Sequence, residues 1–428
     1  MTHHRLKGIV FILDGLGDRP CAELDRCTPL EYADTPYLDK LARLNQCGLM
    51  DPVLPGLPVD THTGVGILFG LSPHDATHLS RGPIEAAGID LKPQWGDLLF
   101  RANLATVEKD GDHYRILDRR ADRIRDGVIE LCQALQELKV GDNLFASLFP
   151  ATQHRCVLRM RGPRLSAEIS DTDPTGKAVH KGILQARSRN SKDENAQKTA
   201  DAVNEFTRLS HHILSRHPLN LQRIHQGENP ANGVLTRGVG AYRDFSSTLS
   251  YLRIKAAVIA GESTILGLAR LCGFTALSDP SFTALPNTDL RKKLDFAHSA
   301  LKTHDLVYVH IKATDTTAHD RDPAAKARFI SHFDSVLEQS DMEAHVIAVC
   351  ADHSTDSLYG EHSGDPVPVL LHNPVGRQDL ADQFGEKTCS MGALGRLNGQ
   401  GFLLSTLDAM GCLPNLKPSD MTVYRPNG

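Results

Sequence analysis

Residues 8–18 read Gly-Ile-Val-Phe-Ile-Leu-Asp-Gly-Leu-Gly-Asp, an apolar run followed at once by Asp14 and glycines. Such a run, without polar alternation, suits a strand covered on both faces, as in a parallel sheet. Two later segments follow the same order. Leu306 to Ile311 leads into Asp315 and His319, and His345 to Cys350 leads into Asp352 and His353. Open α/β sheets hold their ligand sites just past the C-terminal ends of such strands.

Working outward, further elements fit the same scheme. Residues 35 to 46 are expected to be a helix, with Thr35 as N-cap, Pro36 at the first helical position and Gly48 just past the end. Residues 63 to 70 are expected to open a helix behind Thr61. Lys255 to Ala260, then Thr264 to Leu271, reads as a strand and its helix. Pro323 to Gln339 reads as a helix, Val367 to His372 as a strand and Phe402 to Met410 as a short helix. Strands alternating with helices imply an α/β class with a doubly wound core sheet. The middle differs. Residues 103 to 125 and 154 to 170 alternate as β segments, 187 to 197 form a polar loop, and Lys198 to His217 is a long amphipathic helix. The core is therefore expected from residues 1–80 and 240–428, with an inserted, smaller α+β domain over 81–239.

The chain has 428 residues, 40% of them apolar and 23% charged, the composition of a globular protein with a large core. A net charge of −5 gives no reason to expect nucleic acid or an anionic membrane as partner. No apolar run approaches the ~18 residues of a membrane span, and no signal-peptide core follows the N-terminus. Nine cysteines stand singly with no Cys-x-x-Cys pair, which favours reduced thiols and a cytoplasmic setting. No feature specifies an oligomeric state.

Asp14, Asp315, His319, Asp352, His353 and His362 are the acids and imidazoles that follow these strands. Asp315 and His319 lie four apart, on one face if helical. Asp352 and His353 are adjacent and point opposite ways in an extended chain. Singly, each has a plainer reading: Asp14 as a strand-to-turn Asp, the commoner case for any one Asp, Asp315 and His319 as an i,i+4 surface pair, and His362 as a turn histidine with no partner. Jointly, carboxylates and imidazoles in this order can hold two divalent ions, and imidazole-rich sites favour Zn²⁺ or Mn²⁺ over Mg²⁺. Thr61 and Thr63 both offer a hydroxyl that ion coordination could activate as a nucleophile. The pattern leaves the choice between them open. Arg81, Arg101, Arg119, Arg120, Arg123, Arg155 and Arg237, with His154, gather in the insert. Arginine forks suit phosphate and carboxylate.

Several segments together resemble a known family. They are ILDGLGDRP (12–20), TPLEYADTPYLDKLA (28–42), RGPIEAAGI (81–89), DRRADRI (118–124), ISDTDP (169–174), ANGVLTRGVG (231–240), HIKATDTTAHD (310–320), ADHST (351–355) and HSGDPVPVLLH (362–372). The chain resembles the cofactor-independent phosphoglycerate mutases of archaeal type, within the alkaline phosphatase superfamily. The resemblance implies an alkaline-phosphatase-like core and a phosphomutase that interconverts 3- and 2-phosphoglycerate without 2,3-bisphosphoglycerate. It implies one ion at Asp315, His319 and His362, and another at Asp14, Asp352, His353 and the nucleophile. It implies an insert that holds the glycerate, with Arg81, Arg119, Arg120, Arg123, His154, Arg155 and Arg237 as substrate contacts. The family commonly has Gly-Ser-Asp-Thr-Ala-His around a serine nucleophile. Here Val59-Asp60-Thr61-His62-Thr63-Gly64 stands there, and counting back from Gly70 sets Thr61 at the nucleophile. The family acid after the serine becomes His62, its histidine becomes Val65, and its later Asp-Glu-Ala becomes Asp315-Thr316-Thr317. These changes keep two other outcomes open: a phosphatase or a mutase for another small phosphate or phosphonate, and a non-catalytic anion-binding protein.

Overall fold

The structure is a computed structural model that describes residues 5–111, 113–174, 182–242, 245 and 247–413. It divides into two compact units, Met1–Leu79 with Phe245–Gly428, and Ser80–Asp244.

The first unit is built on an eight-stranded mixed sheet. Its order is Thr275–Leu277, Ala256–Ile259, Leu306–Ile311, Gly8–Leu13, Val346–Cys350, Val367–His372, Gln46–Asp51 and Gly395–Asn398. The first five run parallel, and Val367–His372 is antiparallel to both its neighbours. Gly8–Leu13, Leu306–Ile311 and Val346–Cys350 are buried at every position. Their apolar runs are thus explained by cover on both faces.

Residue parity shows the two faces. Phe11 pairs with Val309, and Val10 with Tyr308, so Phe11 and Tyr308 point opposite ways. Phe11 meets Phe333 of the helix Pro323–Glu338 edge-on at 5.5 Å. Tyr308 packs on Phe69 at 4.9 Å and donates its hydroxyl to the Leu68 carbonyl, at the end of the helix Thr61–Leu68. The helices Ser263–Leu271 and Gly399–Ala409 join the second layer, while Pro36–Leu44, Leu290–Leu301 and Ala313–His319 join the first. The core is doubly wound, as the alternation of elements predicts.

Two local readings change. The first helix ends at Leu44, and Gly48 lies inside the strand Gln46–Asp51 rather than past a helix end. A Cβ on Gly48 would stand 2.6 Å from the Gly395 carbonyl, so this glycine serves close strand packing. Thr35 makes no capping bond. Asp334 caps the helix from the neighbouring one, accepting from the Tyr37 amide at 3.2 Å and the Leu38 amide at 2.7 Å.

The second unit holds an antiparallel sheet. Its strand Leu98–Asp110 pairs with His113–Asp118, Arg155–Arg161 and Gly233–Ala241. Leu144–Pro150 and Leu138–Gly141 extend it beyond Arg155–Arg161. The β reading of 154 to 170 holds only to Arg161. The long helix starts at Glu194, inside the expected polar loop, because Asp193 caps it by accepting from the Ala196 amide. It ends at Leu214 and packs on Gly233–Ala241. Phe100, Leu158, Met160, Val203 and Phe206 lie in this unit's own hydrophobic core.

Candidate functional site

Three neighbouring parallel strands end side by side, because Leu13 pairs with Ile311 and Ile12 with Cys350. Asp14 follows the middle strand, and Asp352 and His353 follow one neighbour. The other neighbour feeds the helix Ala313–His319, which carries Asp315 and His319 on one face. His362 arrives on a hairpin whose strands are Ser354–Asp356 and Glu361–Ser363. Gly15 turns the chain at φ +65°, where a Cβ would stand 2.9 Å from Asp315 Oδ1.

These side chains form two groups, Asp315 with His319 and His362, and Asp14 with Asp352 and His353. Within each, one ligand atom per residue lies within 4.8 Å of the others. His319 Nδ1 meets the Gly360 carbonyl at 2.7 Å and His362 Nδ1 the Val59 carbonyl at 2.8 Å. A carbonyl only accepts, so each ring donates from Nδ1 and keeps Nε2 for a ligand. Asp352 Oδ2 is buried without a hydrogen-bond partner. Convergent carboxylate oxygens, free imidazole nitrogens and an orphaned buried oxygen fit divalent cations.

The Thr61 hydroxyl lies 3.2 Å from His353 Nε2 and accepts from Lys312 Nζ at 3.0 Å. Thr63 instead turns its hydroxyl to the Ala76 carbonyl at 3.4 Å. Gly64 lets this helix approach Asp352, since a Cβ there would strike the Asp352 carbonyl.

Four contributors were not read from sequence. Lys312 Nζ sits 2.7 Å from Asp315 Oδ2 and 2.9 Å from Asp14 Oδ2, touching both groups. Its sign was its place directly after a strand and three residues before Asp315. His310, an imidazole in an otherwise apolar strand, holds Asp14 Oδ2 at 3.0 Å and Glu262 Oε2 at 3.1 Å. Thr355 is the fourth.

The electrostatics follow from burial and these partners. Burial alone would raise the Asp14 carboxyl, but the Lys312 charge and bonds from His310 and His353 hold it well below the usual range. Asp352 is pushed up to about 6 by burial and the Asp14 charge. His353 rises to about 9, the pull of Asp352 and Asp14 overcoming burial. His310 likewise rises to about 9 against burial, through Asp14 and Glu262.

The second unit gathers the expected cations. Arg101 and Arg237 are directly opposed on paired strands, an unfavourable like-charge pairing unless an anion joins them. Burial, then the Arg81, Arg237 and Arg155 charges, lower Arg101 to about 10. His154 is lowered to about 4 by burial and by Arg155, Arg120 and Arg101. Glu85 reaches Arg101 at 3.4 Å, and Asp173 pairs with Arg119 at 2.6 Å and Arg237 at 3.8 Å. Buried Nε of Arg101 and Nδ1 of His154 have no partner. Arg123 stands apart, lining a groove of about 570 Å³ with Arg125, Leu219 and Arg223.

The sequence model of the 2,3-bisphosphoglycerate-independent phosphoglycerate mutases matches residues 42–220. The mutase of that name from Ignicoccus hospitalis is 40% identical over 405 residues, spanning 93% of this chain and 96% of its own. This chain belongs to the 2,3-bisphosphoglycerate-independent phosphoglycerate mutase family. The Pyrococcus abyssi mutase is 38% identical, over 94% of this chain and 97% of its own. Two solved structures share the fold. A Pyrococcus horikoshii protein is 31% identical with TM-score 0.79, covering 96% of this chain and 99% of its own. The cofactor-independent phosphoglycerate mutase of Thermoplasma acidophilum is 29% identical with TM-score 0.70, covering 95% and 100%. Among the described residues no helix is long and apolar enough to cross a membrane.

Proposed function

We propose that the protein interconverts 3-phosphoglycerate and 2-phosphoglycerate through a phospho-threonine at Thr61. Two divalent ions would be held by Asp315, His319 and His362, and by Asp14, Asp352, His353 and Thr61. The observation that carries this reading is the Thr61 hydroxyl, set against His353 of one group and linked through Lys312 to Asp315 of the other.

Bound divalent ions would neutralise phosphoryl charge and lower the pKa of a coordinated hydroxyl. Thr61 Oγ1 gives up its proton and bonds to phosphorus as the bond to the substrate's 3-oxygen breaks, and that oxygen takes up a proton. The 2-hydroxyl of the same glycerate then gives up its proton and takes the phosphorus as the Thr61 bond breaks and Thr61 is reprotonated, so the sum is an isomerisation needing no 2,3-bisphosphoglycerate. Lys312 supplies a fixed positive charge beside the hydroxyl, where charge develops in both transfers. Glycerate must stay bound between them with water excluded, because water at the phospho-threonine gives hydrolysis. The cluster of Arg81, Arg101, Arg119, Arg120, His154, Arg155 and Arg237 has the chemistry to bind its carboxylate and phosphate. Arg123 belongs to this set only by resemblance. Mn²⁺ or Zn²⁺ suits the imidazole content, and free thiols at all nine cysteines suit the cytoplasm.

The test is phosphorus NMR of 3-phosphoglycerate with protein preloaded with Mn²⁺. A growing 2-phosphoglycerate signal is expected. Inorganic phosphate alone would replace the mutase by a phosphatase, with the altered Val59–Val65 segment as the place to look. An unchanged spectrum would overturn the substrate.

A further inference from the structure

Thr355 touches both ligand groups. Its Oγ1 lies 2.7 Å from Asp315 Oδ1 and 3.1 Å from His353 Nδ1. A hydroxyl has one proton to give, and an ionised carboxylate can only accept. Thr355 therefore donates to Asp315, and His353 must donate from Nδ1 to Thr355. His353 Nε2 is then the nitrogen that faces Asp14 Oδ1 and Asp352 Oδ2, each 3.3 Å away, and the one that would be left for an ion once its proton is displaced.

Thr355 is itself held firmly. It is fully buried, its amide donates to the Gly17 carbonyl at 2.9 Å, and its carbonyl accepts from Lys326 Nζ at 3.1 Å. On the hairpin it is paired directly with His362. Gly15 leaves it room, since a Cβ there would stand 2.5 Å from Thr355 Oγ1. By contrast, His319 and His362 are each oriented by a backbone carbonyl that serves one ligand only.

We infer that Thr355 is a positioning residue that couples the two ion sites: one hydroxyl fixes the tautomer of His353 in one group and the carboxylate of Asp315 in the other. The inference rests on the two-ion reading above. Partners that orient ligands typically contribute roughly 10- to 100-fold in metal affinity. Thr355→Val keeps the side-chain shape and removes the hydroxyl, while Thr355→Ser restores it.

The test is titration of the metal-free proteins with Mn²⁺, followed by calorimetry and by electron paramagnetic resonance of the paired ions. The metal-free thermal midpoint is measured alongside. Both dissociation constants are expected to rise roughly 10- to 100-fold in Thr355→Val and to return near wild type in Thr355→Ser. Wild-type affinity for both ions in Thr355→Val overturns the inference, even if the midpoint falls. Weakening of one ion alone also overturns it, because Thr355 then serves a single ligand. Should Thr355→Val not fold, Thr355→Ala is judged by the same outcomes. A wild-type protein that takes up fewer than two ions overturns the underlying metal reading and the coupling with it.

Discussion

Lys326 is a fully buried ammonium whose loss has a calculable consequence. It pairs with Asp18 Oδ2 at 2.7 Å and donates to the Thr355 carbonyl at 3.1 Å and the Gly17 carbonyl at 3.4 Å. It thus ties the turn behind Asp14 to the hairpin that carries His362. Lys326→Met fills a similar volume but leaves Asp18, which is also buried, without its counter-charge. Removing one partner of a buried pair costs about 3–5 kcal/mol. At about 2–4 °C per kcal/mol for a unit of roughly this size, the midpoint should fall by roughly 6–20 °C. Asp18 keeps bonds from the Ser357 amide and the Arg19 amide, which favours the lower half of that range. Circular dichroism melting of metal-free protein reads the effect without interference from ion binding. Asp18→Asn combined with Lys326→Met should recover much of the loss, since replacing both charges of a buried pair is often close to neutral. A single-variant loss below about 1 kcal/mol, or a double variant equal to the sum of the singles, would refute the pairing as a source of stability.

Further outcomes follow from the two sites. Thr61→Ala should abolish isomerisation while Mn²⁺ content stays near wild type, and Thr63→Ala should keep turnover; the reverse pattern in turnover assays would move the nucleophile to Thr63. Arg101→Met should weaken 3-phosphoglycerate binding in calorimetry and also lower the ligand-free thermal midpoint, because the relief of one of two opposed arginines is outweighed by leaving the buried Glu85 without its counter-charge. Intact binding would refute the anion-site reading. Metal-free protein should lose stability as pH rises from 6.5 to about 9. His310 and His353 both titrate near 9 when folded against 6.5 unfolded, so the native state holds more protons across that window. Mn²⁺ should flatten the His353 share of this slope by displacing its proton, which melts at several pH values would reveal.

What the sequence shows depends on whether a signal is local. Asp14, Asp315, Asp352 and His353 are legible because each sits within a few residues of an apolar run, and sheet order brings the run ends together. Glu262 and His310 act only as partners across strands, which spacing does not report. Thr355 looks like a turn hydroxyl until His353 and Asp315 close on it. Thr35 holds the N-cap position that its place before Pro36 predicts, but the capping bonds of the helix Pro36–Leu44 come from Asp334 on another helix, which spacing does not report. Gly48 has the look of a helix stop because a short strand with polar ends, Gln46–Asp51, carries almost no period. The opposition of Arg101 and Arg237 depends on pairing Leu98–Asp110 with Gly233–Ala241, a long-range register that local spacing does not report.

The departures from the family pattern have a structural logic. Thr316 and Thr317 replace Glu and Ala after Asp315, and both turn their hydroxyls to carbonyls. Thr316 bonds the Ala284 carbonyl at 2.8 Å, and Thr317 bonds those of Ala313 and Thr314 at 3.0 Å. Asp315 remains the one carboxylate of that turn, already engaged by Lys312, His319, His362 and Thr355. Val65, where the family histidine stood, is fully buried on the helix Thr61–Leu68. Position 65 therefore offers no imidazole, and the Thr61 hydroxyl is met by Lys312 and His353. The changes fall on neighbours of the ligand atoms and leave the ligand atoms in place. On the two-ion reading, such changes would reach the balance between transfer and hydrolysis through water access and local charge.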